Sequence, residues 1–198
     1  PERTLWLLSI AHAVNHAQAV VLPLIYLRII DEFGVGVGEV TLDAVVAKLL
    51  AERGRTLAVV ESNTGGAILQ RLNAWPQRVK FLKRGVVGLH AQDLAGMFRL
   101  PLDQEPSGED FAEALAVRIR EESGADFGLA VFGPNPPENI EPEKSRAAIQ
   151  VGDTFIALAT GGKILRFQNN FGGDERFVQS RVPVYGLDLV RRALLGLE

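Results

Sequence analysis

The chain has 198 residues, 47% of them hydrophobic and 23% charged, which suits one folded domain with room for an extra segment. Its formal net charge of −3 gives no general attraction to a polyanion, so no nucleic-acid partner is expected. The absence of cysteine excludes disulfides, thiolate metal sites and cysteine nucleophiles, and fits a reducing, cytoplasmic compartment. Three histidines, His12, His16 and His90, are too scattered to predict a metal centre, and no sequence signal calls for a cofactor. Twenty glycines and ten prolines point to a loop-rich α/β chain.

From Thr4 to Leu27 no residue is charged, a run of 24 positions that would cross a bilayer as a helix. Ser9, His12, Asn15, His16 and Gln18 interrupt it. His12, Asn15, His16 and Ala19 fall on one helical face, where a membrane helix would meet other helices or water. Residues 4–40 resemble the first transmembrane segment and loop of a major facilitator transporter. Three readings stay open: contact with a membrane through residues 4–27, an interface helix kinked at Pro23, or a segment joined by fusion or gene calling. A signal peptide fits poorly, because no basic region beyond Arg3 and no clear small-residue cleavage site is present. Phe33 to Glu39 reads as a linker; its alternating glycines follow no strand and lack dinucleotide-binding spacing. The chain thus divides into a hydrophobic N-terminal helix with its linker, 1–40, and a domain, 41–198.

From Thr41 the pattern is regular. Thr41 or Asp43 can cap a helix through about Arg53, with Gly54 ending it. A strand over Thr56–Val60 leads into a turn and a helix to about Trp75, stopped by Pro76. A short apolar segment, Val79–Leu82, precedes a second buried strand, Gly85–Leu89. Helices are expected over Gln92–Arg99 and from Pro106 to Ser123, and a third strand over Phe127–Phe132. A Pro/Glu-rich stretch, Gly133–Ser145, has the composition of an exposed loop. Strands at Gly152–Thr160 and Lys163–Asn169 flank the two-residue turn Gly161-Gly162. Gly172-Gly173-Asp174 opens a closing helix, Glu175 to Leu197. The alternation predicts a three-layer α/β/α fold, with a mainly parallel sheet and an antiparallel edge hairpin.

The most informative stretch is TLAVVESNTGG, Thr56 to Gly66. A buried strand ends in an acid, two hydroxyls and two glycines, and a helix starts at once. Such a junction offers backbone N–H groups to an anion or carbonyl. In an open α/β sheet, ligands sit beyond the carboxyl ends of strands, so this turn and the loops after Leu89 and Phe132 should converge on one cleft. Ser62 with His90 as base, oriented by Glu61 or Asp93, would make a reasonable nucleophilic pair. The competing reading is that Ser62 and Thr64 only cap the following helix.

TLAVVESNTGG, the GVV nineteen residues after Gly66, SGADFGLAV, VGDTFIALAT, FGGDERFV and LDLVRRAL form an ordered series. Over residues 42–197 they resemble the C-terminal domain of the competence/damage-inducible protein CinA, whose stand-alone form is the nicotinamide mononucleotide amidase. The resemblance implies a three-layer fold, often a homodimer, and hydrolysis of a pyridine nucleotide's carboxamide to the acid and ammonia. It implies Ser62 as nucleophile, with Glu61, Thr64, Gly65, Gly66, Gly133 and Arg176 around the substrate. It also exposes losses. The family's tyrosine and lysine after the GVV strand fall on Leu89 and Leu94, neither able to transfer a proton. The TGxAGP loop falls on Phe132–Pro137, where proline removes N–H donors. The arginine after GD is Glu175, with Arg176 displaced by one, and a later helical arginine is Gln179. Activity weakened or lost is therefore expected, with an active enzyme using His90, or a membrane-tethered or chimeric interaction module, as the alternatives.

Overall fold

The computed structural model describes residues 41–101, 108–133, 153–171 and 175–197. The N-terminal hydrophobic helix, the linker at 33–39, most of the Pro/Glu-rich stretch and the Gly172–Asp174 cap lie outside the described residues. Residues from Leu42 onward form one compact unit. In chain order it runs α1 (Leu42–Glu52), β1 (Leu57–Glu61), α2 (Ala67–Asn73), α3 (Arg78–Phe81), β2 (Leu82–Val87), α4 (Ala91–Phe98), α5 (Gly108–Ser123), β3 (Phe127–Phe132), β4 (Asp153–Ala159), β5 (Ile164–Asn170) and α6 (Glu175–Leu195). Among the described residues no helix is long and apolar enough to cross a membrane.

The five strands form one sheet in the order β2-β1-β3-β4-β5. β1 pairs in parallel with β2 and β3, whereas β4 is antiparallel to β3 and β5 to β4. The sheet is therefore evenly mixed by pairing, not mainly parallel. The β4–β5 hairpin is as expected, its tight turn being one that only antiparallel neighbours can use, and the departure is the β3–β4 pair, which is antiparallel too. Thr160 closes that turn, its N–H donating to Lys163 O at 2.9 Å and its Oγ1 accepting from the Lys163 N–H at 3.1 Å.

Helices cover both faces. Leu57 and Val59 of β1 lie in a core with Val46, Leu50, Ile68, Leu72, Val182 and Val190, from α1, α2 and α6. Ala58 and Val60, pointing the opposite way, meet Leu94, Phe98, Leu115 and Ile119 from α4 and α5. This second face is lined by alanines, Ala58, Ala130, Ala157 and Ala159, so α5 settles close to the sheet. A Cβ on Gly128 would sit well inside van der Waals contact with Ala116 O, which shows helix backbone resting on strand backbone. On the other face Tyr185 of α6 stacks on Phe167 of β5 at 4.7 Å and meets Phe171 edge-on at 5.0 Å, tying α6 to the sheet edge.

Two sequence expectations are corrected near β2. The strand starts at Leu82 and ends at Val87, earlier than its apolar run, and Val79–Phe81 belongs to the single helical turn α3. β2 is also not fully buried: it is the sheet's outer strand, and Lys83, Gly85 and Val87 are exposed. An edge strand tolerates charge, so hydrophobicity did not mark its limits.

β1 is the hub for function. The chain leaves it for β2 on one side and returns to β3 on the other. That reversal makes the carboxyl end of β1, where the Glu61–Gly66 turn lies, a topological switch point.

Candidate functional site

The turn begins with Glu61, fully buried at the end of β1. Its carboxylate accepts from the Ile68 N–H at 2.9 Å, the Leu69 N–H at 2.8 Å and the Thr64 hydroxyl at 2.7 Å. Those N–H groups are the second and third of α2, whose N-cap residue, Gly66, offers no side chain for them. Glu61 therefore caps α2 across the turn. This corrects the expectation that Ser62 or Thr64 does so, and it occupies the carboxylate that would have oriented His90. Burial pushes the Glu61 carboxyl above its ordinary value of 4.5, although Thr64, Ile68, Leu69 and the charge of Arg71 all pull it down. The turn's remaining N–H groups are also largely engaged: Gly65 N–H donates to Ser62 O at 3.0 Å and Ala67 N–H to Thr64 O at 3.2 Å. Gly65 and Gly66 hold the chain in the left-handed region, with φ of 60° and 91°.

Ser62 is 1% exposed. Its hydroxyl donates to Gly133 O at 3.1 Å and accepts from the Gly133 N–H at 3.0 Å. Its own N–H donates to Val131 O at 3.0 Å, extending the β1–β3 ladder by one residue. Ser62 thus clamps the β1 turn to the end of β3. His90, an exposed residue preceding α4, is not among its partners. Asp93 is likewise exposed, in the first turn of α4. The turn meets the β3 end as expected, and the segment after β2 also reaches it, the Gly88 N–H donating to Glu61 O at 3.0 Å.

Asn63 was not singled out from the sequence, yet it lies at the bottom of the site. It is 5% exposed, and its Nδ2 donates to the Thr154 hydroxyl at 2.9 Å. Its Oδ1 is buried with no hydrogen-bond partner among the described residues. A Cβ on Gly133 would strike Asn63, so glycine is needed there to admit the amide. A polar side chain between a strand and a Gly-Gly turn was the only sequence signal, and it resembles ordinary turn composition.

Leu94 is 0% exposed and packs on the end of β2, where a Cβ on Gly88 would meet its Cδ2 at 2.5 Å. Leu89 is 57% exposed. Gln179 lies beside the turn, its Nε2 at 3.4 Å from a Cβ built on Gly65. Arg176 is exposed, one helical turn before Gln179 on the same side of α6. Among the described residues no group of three or more His, Cys, Asp or Glu is placed to hold a metal ion.

The glycine-bearing turn at a topological switch point, framed by β3 and α6, has counterparts elsewhere. A model of the CinA C-terminal domain matches residues 39–194. The chain belongs to the CinA C-terminal domain family. A CinA-like protein of Syntrophotalea carbinolica is 34% identical over 174 residues, covering 86% of this chain and 41% of that protein. A putative competence-damage inducible protein of Thermoanaerobacter pseudethanolicus is 31% identical with the same coverage. The chain therefore spans about two fifths of the length of these curated relatives, 41% in each. Among solved structures, competence damage-inducible protein A from Klebsiella pneumoniae superposes with a TM-score of 0.67 at 25% identity, over 79% of this chain and 97% of that one. A competence/damage-inducible protein from Agrobacterium tumefaciens gives 0.67 at 21% identity, over 78% and 93%, a likeness of fold. The CinA C-terminal fold is thus the setting in which Ser62, Asn63 and Leu94 are read.

Proposed function

We propose that this CinA C-terminal domain keeps the turn of a pyridine-nucleotide amidase but hydrolyses nicotinamide mononucleotide weakly or not at all. The observation that carries this reading is the Ser62 hydroxyl, which donates its one proton to the Gly133 main-chain oxygen. A serine becomes a useful nucleophile only when a base within hydrogen-bond reach takes that proton, and a peptide oxygen is not such a base. Where the family resemblance expects a lysine the chain buries Leu94, and where it expects a tyrosine it has Leu89. Ligand binding has separate support. The buried Asn63 Oδ1 lacks a donor among the described residues, and a carboxamide N–H is the kind of group that would supply one. We further propose, from the family resemblance, that the chain forms a homodimer, which sedimentation of the purified protein would test.

An ammonia-release assay with nicotinamide mononucleotide, run beside Ser62→Ala, tests the reading. The unmodified chain should release ammonia no faster than the variant. The same variant should unfold more easily by about 1–3 kcal/mol in urea, because a buried clamp loses both hydrogen bonds. Clear turnover that disappears in Ser62→Ala would overturn the proposal and restore Ser62 as the nucleophile.

A further inference from the structure

The end of the sheet opposite Ser62 carries a cavity of about 430 Å³, within the usual range for small-ligand pockets. Arg53, Arg55, Arg120, Asp126, Thr160 and Gly161 are among the residues that line it. Three helices, α1, α5 and α6, end in glycines of left-handed φ, Gly54, Gly124 and Gly196. Two of those ends supply cavity residues directly, Arg53 after α1 and Leu194 in the last turn of α6. Because β4 runs against β3, its carboxyl end delivers the Thr160-Gly161 turn to the same place.

Part of this basic cluster has a structural role. Arg53 Nη1 donates to Leu194 O, a helix-end carbonyl. Arg55 Nη1 donates to Asp126 Oδ1 at 2.7 Å, and Arg120 Nε donates to the Asp126 main-chain oxygen at 3.0 Å. Each guanidinium carries five N–H donors, so these bonds leave most of them without a protein acceptor among the described residues. Three arginines against one aspartate give the lining side chains a formal surplus of +2, which outweighs the partial negative charge of the helix carboxyl ends that supply Arg53 and Leu194. The hairpin main chain also comes close, since a Cβ on Gly161 would lie 3.6 Å from Arg120 Nη2.

We propose that this cavity binds a phosphate dianion, either free or as a small phosphomonoester. A charge of −2 matches the surplus, and the planar guanidinium fork suits phosphate oxygens. The site is separate from the Ser62 turn, at the amino end of β1 and β3.

The test titrates the full chain with inorganic phosphate and, in a second arm, glycerol 3-phosphate, holding ionic strength constant with sodium chloride. Melting temperature is followed, together with backbone amide shifts by NMR. A saturable rise in melting temperature is expected, with shifts centred on Asp126, Thr160 and Gly161. Arg53→Gln and Arg120→Gln should each weaken the apparent affinity about tenfold, the scale of one hydrogen bond to a charged group. Arg84→Gln, which removes an exposed arginine paired with Glu122 outside the cavity, should leave it unchanged. Tighter binding of the ester identifies an organic phosphate, and equal binding identifies the ion alone. No response beyond the chloride control overturns the proposal, as does an equal loss in all three variants. Should the cavity variants fail to fold, amide shifts in the unmodified chain that miss Thr160 and Gly161 overturn it by themselves.

Discussion

At the scale of single residues, Glu61 shows how one side chain can define a turn. It is the only acid in ESNTGG, and it points back into the fold to hold the first turn of α2. Its raised folded pKa fixes the sign of its pH dependence. Between the ordinary value of 4.5 and the raised folded value, the native state binds the proton more tightly than the unfolded chain. The group's stabilising contribution is complete below 4.5 and is lost as pH rises through the folded value. Glu61→Gln keeps one acceptor oxygen but turns an amide nitrogen toward a backbone N–H. The advantage of the natural chain over Glu61→Gln should therefore narrow as pH rises from 4.5 and then level at about 1–3 kcal/mol. Urea midpoints of both proteins at a series of pH values would check this. An advantage that widens over the same window would show that the hydrogen bonds, not burial, control the carboxyl.

At the scale of elements, among the described residues four helices end with a left-handed residue, and one of those four is not glycine. Gly54, Gly124 and Gly196 have φ of 60°, 65° and 70°, and Arg99 has 51° after α4. Each ending closes with the N–H of the next residue bonded to a carbonyl five positions back, as in Arg55 N to Leu50 O and Leu100 N to Ala95 O. An L side chain in this conformation costs about 1–2 kcal/mol, partly offset because glycine makes the unfolded chain more flexible. Gly54→Ala should thus destabilise by about 1 kcal/mol, and Arg99→Gly should stabilise by about 0.5 kcal/mol, in denaturant titrations. A loss of stability in Arg99→Gly would mean that the arginine side chain contributes more than its backbone strain costs. These endings were partly legible in the sequence, where Gly54 follows a periodic apolar run, whereas nothing about Arg99 announced its φ. Elements with strong periodicity, α5 and β3, were placed to within two residues of the structure. β2 was misplaced because an edge strand needs no apolar run. The Glu61 cap was hidden because it depends on how a side chain folds back over the turn. The Ser62 clamp was hidden because its partner, Gly133, is 71 residues away, and no local pattern encodes that contact.

At the scale of the whole molecule, the arrangement shows how the Glu61–Gly66 turn holds its shape independently of the residues at positions 89 and 94. The turn is held to β3 by the Ser62 bonds and to α2 by the Glu61 bonds, none of which involves position 89 or 94. The lysine that the family resemblance expects would stand at position 94 on α4, a different element. Leu94 packs in the same core as Val60, and Ser62, two residues beyond Val60, continues on that side of the sheet. A lysine at position 94 would therefore rise from α4 toward the face that carries Ser62. Burial there disfavours its charged form and lowers its pKa, which suits a base at neutral pH. To donate to that amine the Ser62 hydroxyl would have to give up its bond to Gly133 O. The paired substitution Leu89→Tyr and Leu94→Lys should then raise ammonia release from nicotinamide mononucleotide on the order of 100-fold over the natural chain. The gain should vanish when Ser62→Ala is added. Because a lysine replaces a fully buried leucine, the variant's urea midpoint should fall, and that measurement establishes that the protein assayed is folded. A folded double variant that releases ammonia no faster than the natural chain would show that the missing base is not what limits this site, and would shift the cause to the Gly133 loop or to Gln179 in α6.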